Sequence, residues 1–248
     1  MGVIYKNVNY DYCAMLIISI LIITTILRRM IKGKVNRSFL EVLVVAWLTI
    51  LFDIWAVHLD NLGVQQVFTK YVAHMGYLVL HSLEMPFYIT YLVAMTDTWH
   101  LFKAKRLLAF LSSFPVLMIT GLILTSPATK WIFYINAQYE YTRGKYFTLL
   151  YVCAVIYLIY GLVYLGIHRK MFRRRYLVSL GIVFVAEIAG VAIQYFYPTS
   201  LVEMLCMSIG LLFISLMLQR PEERLDVVTG LNKITAYMDD MRQVFRTR

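Results

Sequence analysis

Leu201 to Leu218 reads LVEMLCMSIGLLFISLML and runs directly into QRPEERLDVVTGLNKITAY from Gln219 to Tyr237. Glu203 is the only charged side chain of the first stretch, and as a helix rising 1.5 Å per residue it is long enough to cross roughly 30 Å of hydrocarbon. The second stretch opens on Arg220, Pro221, Glu222, Glu223 and Arg224 and stays polar. Their junction joins a membrane segment to an aqueous one, and the rest of the chain follows from it.

Composition agrees. Hydrophobic residues make up 60% of the chain and charged residues 15%, whereas soluble domains carry about a quarter charged residues. The expectation is a polytopic membrane protein. A net charge of +10 would suggest nucleic acid in a soluble chain. Here the basic residues gather in short connections between apolar runs, where they orient the chain, so no nucleic-acid partner is expected. Cys13, Cys153 and Cys206 all lie within apolar runs without metal-type spacing and read as buried neutral thiols, with no disulfide framework.

In chain order, Met1 to Tyr10 lacks a cationic segment, so no cleavable signal peptide is expected before the first span. Spans are expected at about 12–31, 38–57, 69–95, 107–125, 146–167, 176–196 and 201–218. Basic clusters follow the first (Arg28, Arg29, Lys32, Lys34, Arg37), the third (Lys103, Lys105, Arg106) and the fifth (Arg169, Lys170, Arg173, Arg174, Arg175). The positive-inside rule then places the amino terminus outside and the carboxyl terminus in the cytoplasm. The fold class expected is an all-α integral membrane protein, a seven-transmembrane bundle over residues 1–219 with a cytoplasmic linker helix in 220–248.

The connection Ser126 to Lys145 is the longest between spans. Trp131-Ile132-Phe133-Tyr134-Ile135 is β-prone, Asn136-Ala137-Gln138 can turn, and Tyr139-Glu140-Tyr141-Thr142 alternates before Arg143-Gly144. A short hairpin over the outer mouth of the bundle is expected. The alternative is an interfacial belt of aromatic residues.

Polar side chains inside spans are costly and face the bundle interior or a water-filled cavity. His74, Tyr77, His81, Glu84, Tyr88 and Tyr91 are spaced by three or four and share one helical stripe. Glu187 and Gln194 share a face of the sixth span, Glu203 lies near the outer end of the seventh, and Asp53 in the outer part of the second. With Trp131 and Arg143 of the hairpin, these residues are the candidate lining of an outward-opening pocket for a small polar or cationic molecule. In the structural alternative, His81 and Glu84 satisfy one another and the polar network merely fixes helix register. No H-x-x-x-H or E-x-x-H spacing is present, so no metal or other cofactor is expected.

Other activities are weighed down by absence. The seventh span has no lysine for a retinal Schiff base. No internal repeat marks a transporter, and only Pro86 and Pro115 interrupt spans. No Ser, Cys or metal motif accompanies His81 and Glu84, so catalysis is not expected. A transporter or channel-like protein with a short regulatory tail stays as the alternative to a receptor.

Asp226, Thr229, Gly230, Leu231, Ala236 and Tyr237 stand in register with D-x-L-T-G-L-x-N-R-x-x-F, so the segment resembles the opening of a GGDEF domain. Lys233 and Ile234 depart where that family has Asn and Arg. Seven spans followed by such a segment are similar to sensory input regions of bacterial proteins that make or degrade cyclic di-GMP, and to the amino-terminal regions of some histidine kinases. The resemblance implies a bacterial cytoplasmic membrane, a sensor domain in residues 1–219, the start of a GGDEF-like output domain within 220–248, a cyclic-di-GMP output and a homodimer through the cytoplasmic helix. The chain carries no GG[DE]EF loop, so it is not expected to be a cyclase itself. A signal would pass from the seventh span through Arg220 and Pro221, where a new helix begins. The alternative for this tail is an amphipathic helix on the anionic lipid surface.

Overall fold

The computed structural model describes residues 7–27, 34–63, 65–96, 98, 106–172, 174–197 and 201–218. Within them the chain forms seven helices and one two-stranded sheet. These are α1 (Asn9–Leu27), α2 (Lys34–Asn61), α3 (Val67–Thr96), α4 (Arg106–Thr129), β1 (Phe133–Ile135), β2 (Tyr141–Arg143), α5 (Thr148–Ile167), α6 (Arg174–Phe196) and α7 (Glu203–Leu218). Six helices have the length and apolar composition to cross a membrane, and α7 is a shorter apolar helix. The run beginning at Leu201 enters its helix at Glu203. Of the three cysteines expected to be buried, Cys153 is, whereas Cys206 is half-buried and Cys13 is exposed on α1.

The outward surfaces are apolar, as lipid requires. Leu16, Ile20, Ile23 and Leu27 of α1 and Val152, Val155, Ile159, Val163 and Ile167 of α5 are exposed, while Asp53, Glu84, Glu187 and Glu203 are buried. A soluble protein distributes these residue types the other way round. The arrangement is that of a multi-pass membrane bundle.

Helix ends fall where local chemistry stops them. α2 continues through the expected exit at His58 to Asn61. It ends when the Leu62 and Gly63 amides donate back to the carbonyls of His58 and Asp60, with Gly63 at φ 61 in the left-handed region glycine enters without a Cβ clash. α4 likewise runs past the expected loop start at Ser126 to Thr129. Pro127 removes one donor but keeps a helical φ, and the turn out comes at Lys130, whose φ is 59.

The expected hairpin is present. Phe133 pairs with Arg143, Tyr134 with Thr142 and Ile135 with Tyr141, antiparallel. Its turn is closed by Asn136 Oδ1, which accepts from the amides of Gln138 and Glu140, each at 2.9 Å, an Asx-type closure. Gly144 ends β2 where a Cβ would strike the carbonyls of Lys130 and Trp131.

Polar side chains then tie the helices together. Trp47 donates to Ser19 at 3.0 Å between α2 and α1, and Tyr88 donates to the Leu180 carbonyl at 2.7 Å between α3 and α6. Tyr157 of α5 inserts into the α4 ladder beside Pro115. Its hydroxyl accepts from the Val116 amide at 3.3 Å and donates to the Ser112 carbonyl at 2.7 Å, a recognised cause of helix distortion. α6 and α7 approach closely because Gly190 leaves no room for a Cβ, which would lie 2.8 Å from Glu203 Cα.

Candidate functional site

The stripe on α3 divides into three groups with different partners. Nearest the hairpin, His74 Nε2 lies 3.3 Å from Asp60 Oδ1, and Lys70 Nζ lies 3.4 Å from the same oxygen. Lys70 is 1% exposed and donates to the Tyr139 carbonyl in the hairpin turn at 2.6 Å. The His74 ring rests against Tyr141 with centroids 4.5 Å apart and against Phe133, and Tyr71 accepts from the Ile135 amide at 3.2 Å. Burial pushes the Tyr141 phenol upward, with Arg143 pulling the other way, so the ring meets His74 as a neutral surface. These contacts clamp the hairpin to α2 and α3, and His74 belongs to this clamp.

The middle group is the candidate site. His81 Nδ1 lies 3.4 Å from Glu84 Oε2 and His81 Nε2 lies 3.4 Å from Glu203 Oε1. Tyr77 stacks on the imidazole at 5.6 Å and 14°. Glu187 lies within electrostatic range of Glu203, Glu84 and His81. The fold brings these groups together for a simple reason. Glu187 and Gly190 are one turn apart on α6, and the first residue of α7 sits over Gly190, so Glu187 and Glu203 face the same side. A negative charge in the first turn of α7 is favoured by the helix dipole, which offsets part of the cost of Glu203.

Two members come from the earlier helices. Asp53 of α2 and Asp11 of α1 lie within electrostatic range of one another, and Asp11 within range of Glu203. Tyr77 is within range of Asp53, Glu203, Glu84 and Asp11. Asp11 was not among the sequence-derived candidates, because the first span was started at Tyr12. Its signal was nevertheless present. The buried side of α1 runs Asp11, Ala14, Ile18, Leu21, Thr25, a three-and-four spacing in which Asp11 is the polar end.

The cluster is rich in unfilled acceptors. Both oxygens of Glu84, Oε2 of Glu187 and both oxygens of Asp11 are buried without a hydrogen-bond partner among the described residues. A neutral imidazole donates from one nitrogen and an imidazolium from two, and at 3.4 Å the Nδ1 contact to Glu84 is an ion-pair distance without hydrogen-bond geometry. Unpartnered buried carboxylates are costly in any interior and more so at membrane depth.

The remaining candidates lie elsewhere. Tyr88 and Tyr91 are fully buried against Phe184 and Phe39, and Tyr88 is spent on the bond to Leu180. Trp131 packs edge-on against Tyr146 and Arg143 sits over the Phe147 ring at 4.6 Å, contacts made beside the hairpin. Gln194 lies on α6 one heptad beyond Glu187, and its side chain is outside the described portion. Arg220, Pro221, Asp226, Thr229, Gly230 and Leu231 likewise lie outside the described residues. Among the described residues no three His, Cys, Asp or Glu side chains are grouped as metal ligands. No family model, curated protein or solved structure matches this chain.

Proposed function

We infer that this chain is the sensing portion of a bacterial membrane receptor whose small-molecule ligand binds at His81, Glu84, Glu187 and Glu203, beneath the hairpin. One observation carries the reading. Both oxygens of Glu84 and Oε2 of Glu187 are buried with no hydrogen-bond partner among the described residues, and each such group in a native structure calls for something that completes it. The site joins α1, α2 and α3 to the α6–α7 pair, so a ligand preferring one arrangement of these helices would move α7. That shift is limited to the ligand's differential affinity for the two arrangements. The GGDEF-like segment Asp226 to Tyr237 supports a cyclic-di-GMP output in a homodimer, with the basic end of the bundle in the cytoplasm.

A transporter is the second reading, and it draws on α7, whose N-terminus lies at the site as in discontinuous transporter helices. The test is thermal stability of the purified chain against a metabolite library, repeated with Glu84→Gln and Glu187→Gln. A stabilising compound that loses its effect in both variants supports the site. Compounds that stabilise all three proteins equally would move binding elsewhere, and accumulation of the compound by sealed proteoliposomes would favour transport.

A further inference from the structure

We propose that the ligand of this cluster is a primary ammonium, held through its N–H donors by Glu84 and Glu187. The inference rests on the receptor reading and deepens it to a chemical class. The first support is charge. Glu84, Glu187 and Glu203 lie within electrostatic range of one imidazole, and the charged groups that act on Glu187 and Glu203 are that imidazole and the other carboxylates. Lys70, the buried lysine of α3, is committed to Asp60 and Tyr139. Even a fully charged His81 offsets only one carboxylate.

The second support is hydrogen-bonding capacity, and it separates one cation from another. Glu84 is 2% exposed and Glu187 8%, and both oxygens of Glu84 and Oε2 of Glu187 are unpartnered acceptors among the described residues. A primary ammonium carries three N–H donors and no acceptor, so it supplies what these oxygens lack. A quaternary ammonium brings the same charge but no donor. It would also depend on an open aromatic face, and the one ring at the centre, Tyr77, already has a face against His81. Charge-assisted N–H donation to a carboxylate is the stronger class of hydrogen bond.

The ammonium could come from a free amine or from an ethanolamine lipid headgroup, and the experiment separates them. Full-length chain in phosphatidylcholine nanodiscs is titrated with n-butylammonium, tetramethylammonium and n-butanol at constant ionic strength, reading the apparent melting temperature. The expected result is saturable stabilisation by n-butylammonium alone. Glu84→Gln and Glu187→Gln should each weaken it by about tenfold or more, the size of one lost charged hydrogen bond. Loss of the butylammonium response in phosphatidylethanolamine nanodiscs would assign the ammonium to the lipid. Equal stabilisation by tetramethylammonium overturns the proposal, and needs no variant to read. So does a response retained in both glutamine variants. An anionic or neutral metabolite that stabilises the parent but not Glu84→Gln would sink the ammonium class while keeping the receptor reading. Absence of any stabilising metabolite would remove both.

Discussion

Lys70 makes the most consequential single contact outside the carboxylate cluster. Its Nζ is the bridge between Asp60 and the hairpin turn at Tyr139, and a buried charge with two oxygen partners is worth more than an exposed ion pair. Lys70→Met keeps the apolar stem but removes all three donors. It is expected to destabilise the protein by about 1–3 kcal/mol, the cost of leaving buried acceptors short of a partner. The loss should be local. Amide exchange should quicken through 136–141 of the hairpin while the amides of α6 and α7 keep their protection, and uniform acceleration across the bundle would contradict the clamp. Little of this was legible beforehand. His74 carried the right spacing to be placed on the interior stripe, yet nothing in the spacing said that its neighbour would be Asp60 and the hairpin, and neither Lys70 nor Asp60 stood in a pattern that marked it. Side-chain periodicity reports which face is buried and is silent about what meets it.

Among the elements, the α6–α7 pair is the one whose geometry the candidate site depends on. Gly190 lets the two backbones approach, and an added Cβ would meet Glu203 Cα at 2.8 Å, a contact backbone cannot yield cheaply. Gly190→Ala should therefore cost about 1–3 kcal/mol and shift Glu203 away from His81. Gly121 of α4 provides the contrast, since a Cβ there meets nothing within 4 Å. Gly121→Ala is expected to stabilise by roughly 0.5–1 kcal/mol through helix propensity. Melting curves of the two variants should move in opposite directions, and a Gly190→Ala protein as stable as the parent would mean that the pair is looser than this packing implies. The helices themselves were readable because apolar run length and basic flanks are local properties. Their ends were not, because Gly63 and Lys130 set them through backbone geometry. The start of α7 was no more legible, since apolar residues at Leu201 and Val202 look the same whether or not they are helical.

For the molecule as a whole, the separation of its two ends is the property on which any signalling or transport role depends. The hairpin lies where α2, α4 and α6 end and where α3, α5 and α7 begin. The opposite end carries Lys34, Arg37, Arg106, Arg169, Lys170 and Arg174 in and beside the helix termini. The hairpin end has its own cations, Lys130, Arg143 and Lys145, but at least two of these lie against aromatic rings, Arg143 over Phe147 and Lys145 over Tyr146, which suits an interfacial position. The positive-inside rule therefore predicts the hairpin outside and the Arg169 end in the cytoplasm. In a background with Cys13, Cys153 and Cys206 replaced by serine or alanine, Asn136→Cys in the hairpin turn should react with a membrane-impermeant maleimide on intact cells. Arg169→Cys should react only after permeabilisation. The reverse pattern would place the cluster of Glu84, Glu187 and Glu203 nearer the cytoplasmic face, so that its ligand would have to be an internal amine and the hairpin could no longer act as the cover of an external site.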